Sequence, residues 1–264
     1  MENLPANAGW LWVKEGFALF RKQPAEISTL FLAYMFLMLV IGIVPLLGQI
    51  LPLVLVPVFS MAFMEACTQI EQGKKVYPNL LLTGFRSPAF RSLLKLGVLY
   101  LLAAVIAVAA SAIVDNGVFW QVMSGSKELD AEAISQSNMS TAMMFAALVY
   151  LPAAMAFWYA APLIMWQKMG VGKAVFYSFF AVKRASKAFM TYGLAWLLIG
   201  VVIPAIASSL LAMVFGKAFI VMVVLLPLSL MLTVVMYCSF YPTYTHVFGR
   251  PGEVAPALQH DEMH

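Results

Sequence analysis

Six stretches of the chain run almost without charge: 27–47, 50–70, 96–114, 141–166, 188–216 and 218–240. Within them apolar residues occupy every side of a helix rather than one face. The alternation of apolar and polar positions over about ten residues that marks a membrane barrel strand is missing. A hydrocarbon core of about 30 Å takes roughly 20 apolar residues in a helix. Each stretch is long enough, and the longer ones can tilt. The pattern therefore predicts an all-α, polytopic bundle of six transmembrane helices in a single domain over 1–250, followed by a polar, disordered tail at 251–264. The first stretch starts too late and runs too long for a signal-peptide core, and no cleavage is expected.

Between the stretches the polar residues are unevenly shared. Lys14, Arg21, Lys22, Lys74, Lys75, Arg86, Arg91, Lys95, Lys168, Lys173, Lys183, Arg184, Lys187 and Arg250 lie before the first span, after the last, or in alternate connections, and these are fourteen of the 16 Lys and Arg residues. Only Lys127 and Lys217 lie on the other side. The positive-inside rule then puts both termini in the cytoplasm, and the expected location is a bacterial inner membrane. Two outer connections are very short, around Gly48 and around Gly216, so spans one and two, and five and six, are helical hairpins. The middle outer loop, about 115–140, is longer and polar, with a short helix expected around 127–134.

The basic connectors resemble one another. Gly9–Lys22 reads GWLWVKEGFALFRK, and the segment from Gly172 to Ala185 reads GKAVFYSFFAVKRA. Ungapped, Gly9 falls on Gly172, Phe17 on Phe180, Ala18 on Ala181 and Arg21 on Arg184. A third segment, from Gly73 to Arg86, shares Gly-Lys-x-Val and ends in Phe85-Arg86. The unit is a basic interfacial connector helix followed by a hairpin, used three times. In residues 10–22, Trp10, Val13, Phe17 and Phe20 recur at helical steps with the charges mostly elsewhere. That predicts a helix lying in the interface, anchored by Trp10, Phe17 and Phe20. Arg21, Lys22, Arg86, Arg91, Lys183 and Arg184 are the candidate headgroup-binding residues.

Composition adds what the chain is not. It is 63% hydrophobic and 11% charged, against about a quarter charged for a soluble domain. The net charge of +4 needs no nucleic-acid partner, because the basic residues sit where anionic headgroups would meet them. The expected partners are membrane lipids, anionic ones included, and a protein partner or second copy. Cys67 and Cys238 form no C-x-x-C pair and read as small apolar residues. His246, His260 and His264 form no metal-ligand pattern. No nucleophile elbow, phosphate loop or carboxylate pair occurs, so no catalytic residue, metal or cofactor is assigned. Glu65 is the one candidate for function within a span, as a structural ion pair with a connector Arg or as a proton or cation ligand. Asp115 reads as a turn residue at a helix end. Pro45, Pro52, Pro57, Pro152, Pro162, Pro204 and Pro227 predict kinks that serve packing.

The opening Gly9-Trp10-x-Trp12-x-x-x-Gly16-Phe17-x-x-Phe20-Arg21-x-x-Pro24, the turn Val44-Pro45-Leu46-Leu47-Gly48 and Gly84-Phe85-Arg86 resemble an uncharacterised family of integral inner-membrane proteins of Gram-negative bacteria. In plan the chain is more distantly similar to the membrane domain attached to some glycerophosphodiester phosphodiesterases, without any such catalytic domain. The resemblance implies location and architecture and no chemistry. The residues favour a non-enzymatic, lipid-facing scaffold or assembly factor, with a small-solute or ion transporter or channel as the alternative and an intramembrane enzyme third. A scaffold predicts a packed apolar interior; a transporter predicts a water-lined cavity reaching Glu65.

Overall fold

The computed structural model describes residues 4–44, 47–123, 138–215 and 221–251. Among them every regular element is helical: α1 (Ala8–Lys22), α2 (Pro24–Gly42), α3 (Leu47–Glu71), α4 (Thr83–Arg86), α5 (Phe90–Asp115), α6 (Val118–Met123), α7 (Met139–Phe157), α8 (Ala160–Met165), α9 (Val171–Arg184), α10 (Ser186–Leu197), α11 (Ile203–Phe215) and α12 (Leu226–Phe248). A 3₁₀ turn, Pro78–Leu82, leads into α4. Six helical segments are long and apolar enough to cross a membrane: Pro24–Gly42, Ile50–Glu71, Phe90–Asp115, Met139–Met165, Ser186–Met213 and Val223–Phe248. The helix expected at 127–134, the link at Gly216 and the tail from 252 lie outside the described residues.

The helices overrun the apolar stretches toward the basic connections. α5 starts at Phe90 and carries Arg91 and Lys95 in its first turns. α12 continues through Tyr241, Thr243, Thr245 and His246 and ends at Gly249, whose φ of 84° a side chain would resist. Polar residues lower the hydropathy of these turns, yet their backbone hydrogen bonds are the same, so charge marks where the hydrocarbon ends and not where the helix ends.

Pro204 has no N–H for the carbonyl of Gly200, and Pro227 none for that of Val223. Wide π-helical turns, Leu198–Val202 and Val221–Leu225, cover both sites. Trp196, Gly200 and Pro204 face Leu225, Leu232 and Met236 across an apolar cavity of about 490 Å³.

The chain divides into two compact units. One takes Met1–Val40, Phe59–Ser87 and Ala181–His264. Its interior is aromatic: Phe63 and Tyr237 ring centroids are 4.5 Å apart, and Phe31, Tyr34 and Phe59 join them at 5.3–6.4 Å. In the same unit α1 packs against α10 and α12. Two glycines allow the approach. A Cβ on Gly9 would run into the Ala188 carbonyl, and one on Gly16 would lie 2.5–2.8 Å from Ser239 atoms. Between them Trp12 is fully buried, with Phe189 at 5.3 Å and Tyr192 at 5.9 Å. Small residues bring helices close enough for dispersion contacts, the main source of association where lipid removes the hydrophobic drive.

The docking face of α1 is thus Ala8, Gly9, Trp12, Val13, Gly16 and Leu19. It shares only Val13 with the Trp10–Val13–Phe17–Phe20 stripe picked out by hydrophobic periodicity. Trp10 remains 44% exposed, with Lys14 Nζ 5.7 Å from its ring centroid. Phe17 stacks on Trp196 at 6.4 Å, and Phe20 is half-buried. Gln23, at the bend into α2, clamps the next connector. Its amide donates to the Lys74 carbonyl at 2.6 Å and accepts from the Val76 N–H at 3.0 Å.

The other unit takes Ile41–Val58 and Pro88–Phe180. Here α3 and α5 meet backbone to backbone, since a Cβ on Gly97 would overlap the Val54 carbonyl. Tyr100 stacks on Phe157 at 4.4 Å and donates its hydroxyl to the Phe157 carbonyl at 3.0 Å. Ser178 accepts from the Tyr159 N–H and donates to the Met155 carbonyl, both at 2.9 Å, which ties α9 to the break between α7 and α8. Asp115 is buried at the end of α5 and caps α6, accepting from the N–H groups of Gly117 at 2.9 Å and Phe119 at 2.6 Å.

Candidate functional site

The strongest grouping of charged side chains lies in the first unit, where α1 meets the last turns of α3 and α12. Three helix ends supply it. Helical spacing puts Glu15, Ala18, Leu19 and Lys22 on one face of α1. Glu71 is the last residue of α3. Tyr241 and His246 lie in the closing turns of α12, and Arg250 just beyond.

Two linked sets of hydrogen bonds organise the group. Trp12 Nε1–H donates to His246 Nδ1 at 3.1 Å, and His246 Nε2 faces Glu15 Oε2 at 3.2 Å. Because Nδ1 accepts, the proton of the neutral ring sits on Nε2 and points at the carboxylate. In the second set Glu71 accepts from the Tyr241 hydroxyl at 2.7 Å on Oε2 and from Arg250 Nη2 at 2.9 Å on Oε1. Both pairs are partly exposed, with side-chain accessibilities of 27–61%. Their contribution to stability is that of surface pairs, up to about 1 kcal/mol each.

These residues line a cavity of about 450 Å³, which Glu15, Lys22, Glu71, Tyr241, His246 and Arg250 supply with charge and hydrogen-bonding groups. Among the described residues Lys22 has no ion-pair partner within 4 Å. A neighbouring cavity of about 340 Å³ shares Glu71, Tyr241 and Arg250 and adds Thr68 and Gln72. On the adjoining face of α1, Trp10, Lys14, Phe17, Ala18 and Arg21 line a groove of about 330 Å³. Ala18 belongs to both the groove and the larger cavity.

The arrangement can bind charge of both signs. It holds no activated nucleophile: the Tyr241 hydroxyl is committed to Glu71, and that of Thr245 donates to the Pro242 carbonyl at 3.3 Å. Among the described residues no group of three His, Cys, Asp or Glu side chains could hold a metal.

Glu65 stands apart from this site. It is half-buried on α3 and lines none of these cavities. Among the described residues it meets no basic side chain within 4 Å, so the pair expected with a connector Arg is not formed there; Glu71 and Arg250 form one instead. The reason is reach. Glu71, at the helix end, meets the chain leaving α12, whereas Glu65 lies more than a turn earlier in α3, between Met64 and Ala66. Arg21, Lys22, Arg86, Arg91, Lys183 and Arg184 are all exposed. Only Lys22 of these lines the larger cavity, and Arg21 the groove. Cys67 and Cys238 are free and buried, the Cys67 thiol 4.0 Å from the Cys238 carbonyl oxygen.

Sequence reasoning missed Glu15, Glu71, Tyr241 and Arg250 as a group, and the last apolar stretch, ending at 240, stops short of His246, which lies inside the final turns of α12. The available signal was Tyr241, His246 and Arg250 at four- and five-residue steps along one helix end. Their partners are 170 residues or more away in the chain, and no local pattern pairs them.

No protein-family model matches the chain, and no solved structure matches it. A protein of Burkholderia thailandensis described as a probable inner membrane protein is 35% identical over 258 residues, covering 96% of this chain and 95% of that one. Its description assigns no reaction. The similarity in plan to the membrane domain of glycerophosphodiester phosphodiesterases is not shown by these comparisons. Near full-length alignment at this identity, with six apolar helices in a fold free of strands among the described residues, makes the chain a multi-pass inner-membrane protein that belongs to the same family as the Burkholderia protein.

Proposed function

We propose that the protein is a non-catalytic, lipid-facing scaffold of the inner membrane, with both termini in the cytoplasm. Its basic connectors meet anionic headgroups and hold a partner protein or a second copy. The observation that carries this reading is the burial of the α3 residues that flank Glu65 in the chain. From Leu55 to Ile70, α3 buries Leu55, Val58, Phe59, Met61, Ala62, Phe63, Met64, Ala66, Cys67 and Ile70. A transport path needs polar groups along water, and Glu65 has apolar residues on both sides of it in the chain.

The connectors support the lipid-facing part. The six candidate headgroup residues are exposed, and each basic side chain near an anionic surface contributes about 1 kcal/mol. α9 carries Phe176, Tyr177 and Phe180 as exposed aromatics beside Lys173, Lys183 and Arg184. That is the composition of a helix lying at the headgroup boundary.

Flux measurements test the scaffold against the transporter. Purified protein in proteoliposomes should pass neither protons nor small ions above empty vesicles. Glu65→Gln should change thermal stability by less than about 1 kcal/mol, since it breaks no ion pair among the described residues. A proton or solute flux that requires Glu65 would establish the transporter instead.

Orientation has its own test. With Cys67 and Cys238 replaced, single cysteines at Lys75 and Lys173 should resist a membrane-impermeant thiol reagent in intact cells. A cysteine at Glu128 should be labelled. Labelling of the first two with protection of the third would invert the topology.

A further inference from the structure

We infer that the cavity between α1 and the ends of α3 and α12 binds a zwitterion made of a primary ammonium and a phosphate on a short spacer, the headgroup chemistry of phosphatidylethanolamine. This deepens the lipid-facing reading and rests on it.

The charge balance of the walls selects the class. Glu15 and Glu71 bring two acidic groups, Lys22 and Arg250 two basic ones, and His246 accepts from Trp12 on Nδ1. The acidic and basic groups balance in number, and Glu71 and Arg250 already pair with each other, which leaves Glu15 and Lys22, on one face of α1, as the charged groups most open to a ligand. A simple anion would gain from Lys22 and Arg250 and be repelled by both carboxylates. A simple cation would meet the reverse. Only a molecule carrying both charges satisfies both kinds of group, and like-charge mismatch is what rejects the others.

The atoms left over refine the choice. Glu15 Oε2 faces His246, and among the described residues no basic side chain lies within 4 Å of Oε1. It can accept an N–H from a primary ammonium. A quaternary ammonium has no N–H and is held by aromatic cages. Tyr241 is the one aromatic residue besides His246 on these walls, and its hydroxyl is committed to Glu71. Two turns further along the same face of α1, the Lys22 ammonium has no ion pair among the described residues and is the donor open to a phosphate.

The volume, about 450 Å³, falls in the range of small-molecule sites, about 300–1,000 Å³. Ala18 joins the cavity to the groove of Trp10, Phe17 and Arg21. A headgroup in the cavity would therefore have an apolar path beside it for an acyl chain, with Trp10 and Arg21 at the interface as such residues commonly are.

The test uses the full chain purified in mild detergent, with defined phosphatidylethanolamine, phosphatidylglycerol or phosphatidylcholine added, read by intact-complex mass spectrometry. Phosphatidylethanolamine should be retained at least about fivefold over the other two, the size an exposed charge contact can supply. Lys22→Gln should lower its retention by a similar factor. Lys22 has no ion pair to lose among the described residues, so folding is not at stake in that variant. Glu15→Gln should abolish the preference for phosphatidylethanolamine over phosphatidylcholine. Soluble phosphoethanolamine distinguishes the sources: displacement of the lipid assigns the site to the free zwitterion, and failure to displace assigns it to the lipid. Equal retention of all three lipids, or retention indifferent to Lys22→Gln in a folded protein, overturns the inference. Solute flux would sink the scaffold reading while leaving this result intact, so the two failures are distinguishable.

Discussion

Trp12→Ala should loosen α1 from the first unit and lower the stability of the protein by about 3–5 kcal/mol, the usual cost of removing a fully buried large aromatic side chain. Trp12 is 0% exposed and makes edge contacts with Phe189, Tyr192 and His246. Gly9 and Gly16 bring the helix backbones together on either side of it. The loss has a second part. Without the indole N–H, His246 Nδ1 is unpaired, and the tautomer that presents Nε2–H to Glu15 is no longer selected. Trp12→Phe separates the two. It keeps most of the ring packing and removes the donor, so it should cost only about 1 kcal/mol for the lost bond plus a small packing deficit. Thermal unfolding in detergent should rank wild type above Trp12→Phe and that above Trp12→Ala, with protease cleavage near Gln23 rising in the last. A Trp12→Ala protein that melts with wild type would mean that α1 is not docked on α10 and α12.

That helix also marks the limit of what the sequence makes legible. Charge-free runs locate all six spans, because hydrocarbon thickness imposes one requirement on length and another on polarity, and both are local. The docking face of α1 is a different kind of object. Its key members are Gly9 and Gly16 around Trp12, and glycine scores poorly for hydrophobicity, while the stripe through Trp10 and Phe17 scores well although Trp10 stays exposed. Small residues matter at such contacts for what they leave out, and that becomes visible only once a partner backbone is seen against them. The choice between Glu65 and Glu71 follows the same logic. Depth within an apolar run singles out Glu65. Pairing is decided by which carboxylate meets Tyr241 and Arg250, residues 170 and 179 positions away in the chain. The last apolar stretch stops short of His246 because hydropathy fades before the helix does. What the sequence reports well is the solvent each segment requires; what it reports poorly is which helix lies beside which.

Gly97→Ala tests that distinction in the second unit, and its effect should be large for a single added methyl group. The new Cβ would overlap the carbonyl of Val54, a backbone atom of α3 that cannot rotate away as a side chain would. α3 and α5 must separate. Since association within lipid rests on close packing, separation loses contacts along the whole interface rather than at one point. Overpacking typically costs about 1–3 kcal/mol where side chains can adjust, and this site should fall at the upper end of that range. A change of helix propensity works in the opposite direction, because alanine favours a helix over glycine by about 1 kcal/mol. Gly193→Ala isolates that term, for Gly193 lies in α10 with nothing within 4 Å of its Cβ position. Gly193→Ala should therefore match or exceed wild type in thermal stability, while Gly97→Ala falls clearly below it. If the two variants melt together, the contact between Gly97 and Val54 does not hold α3 against α5, and the close approach that organises this unit must be sought elsewhere along α5, starting with the Tyr100 bond to the Phe157 carbonyl.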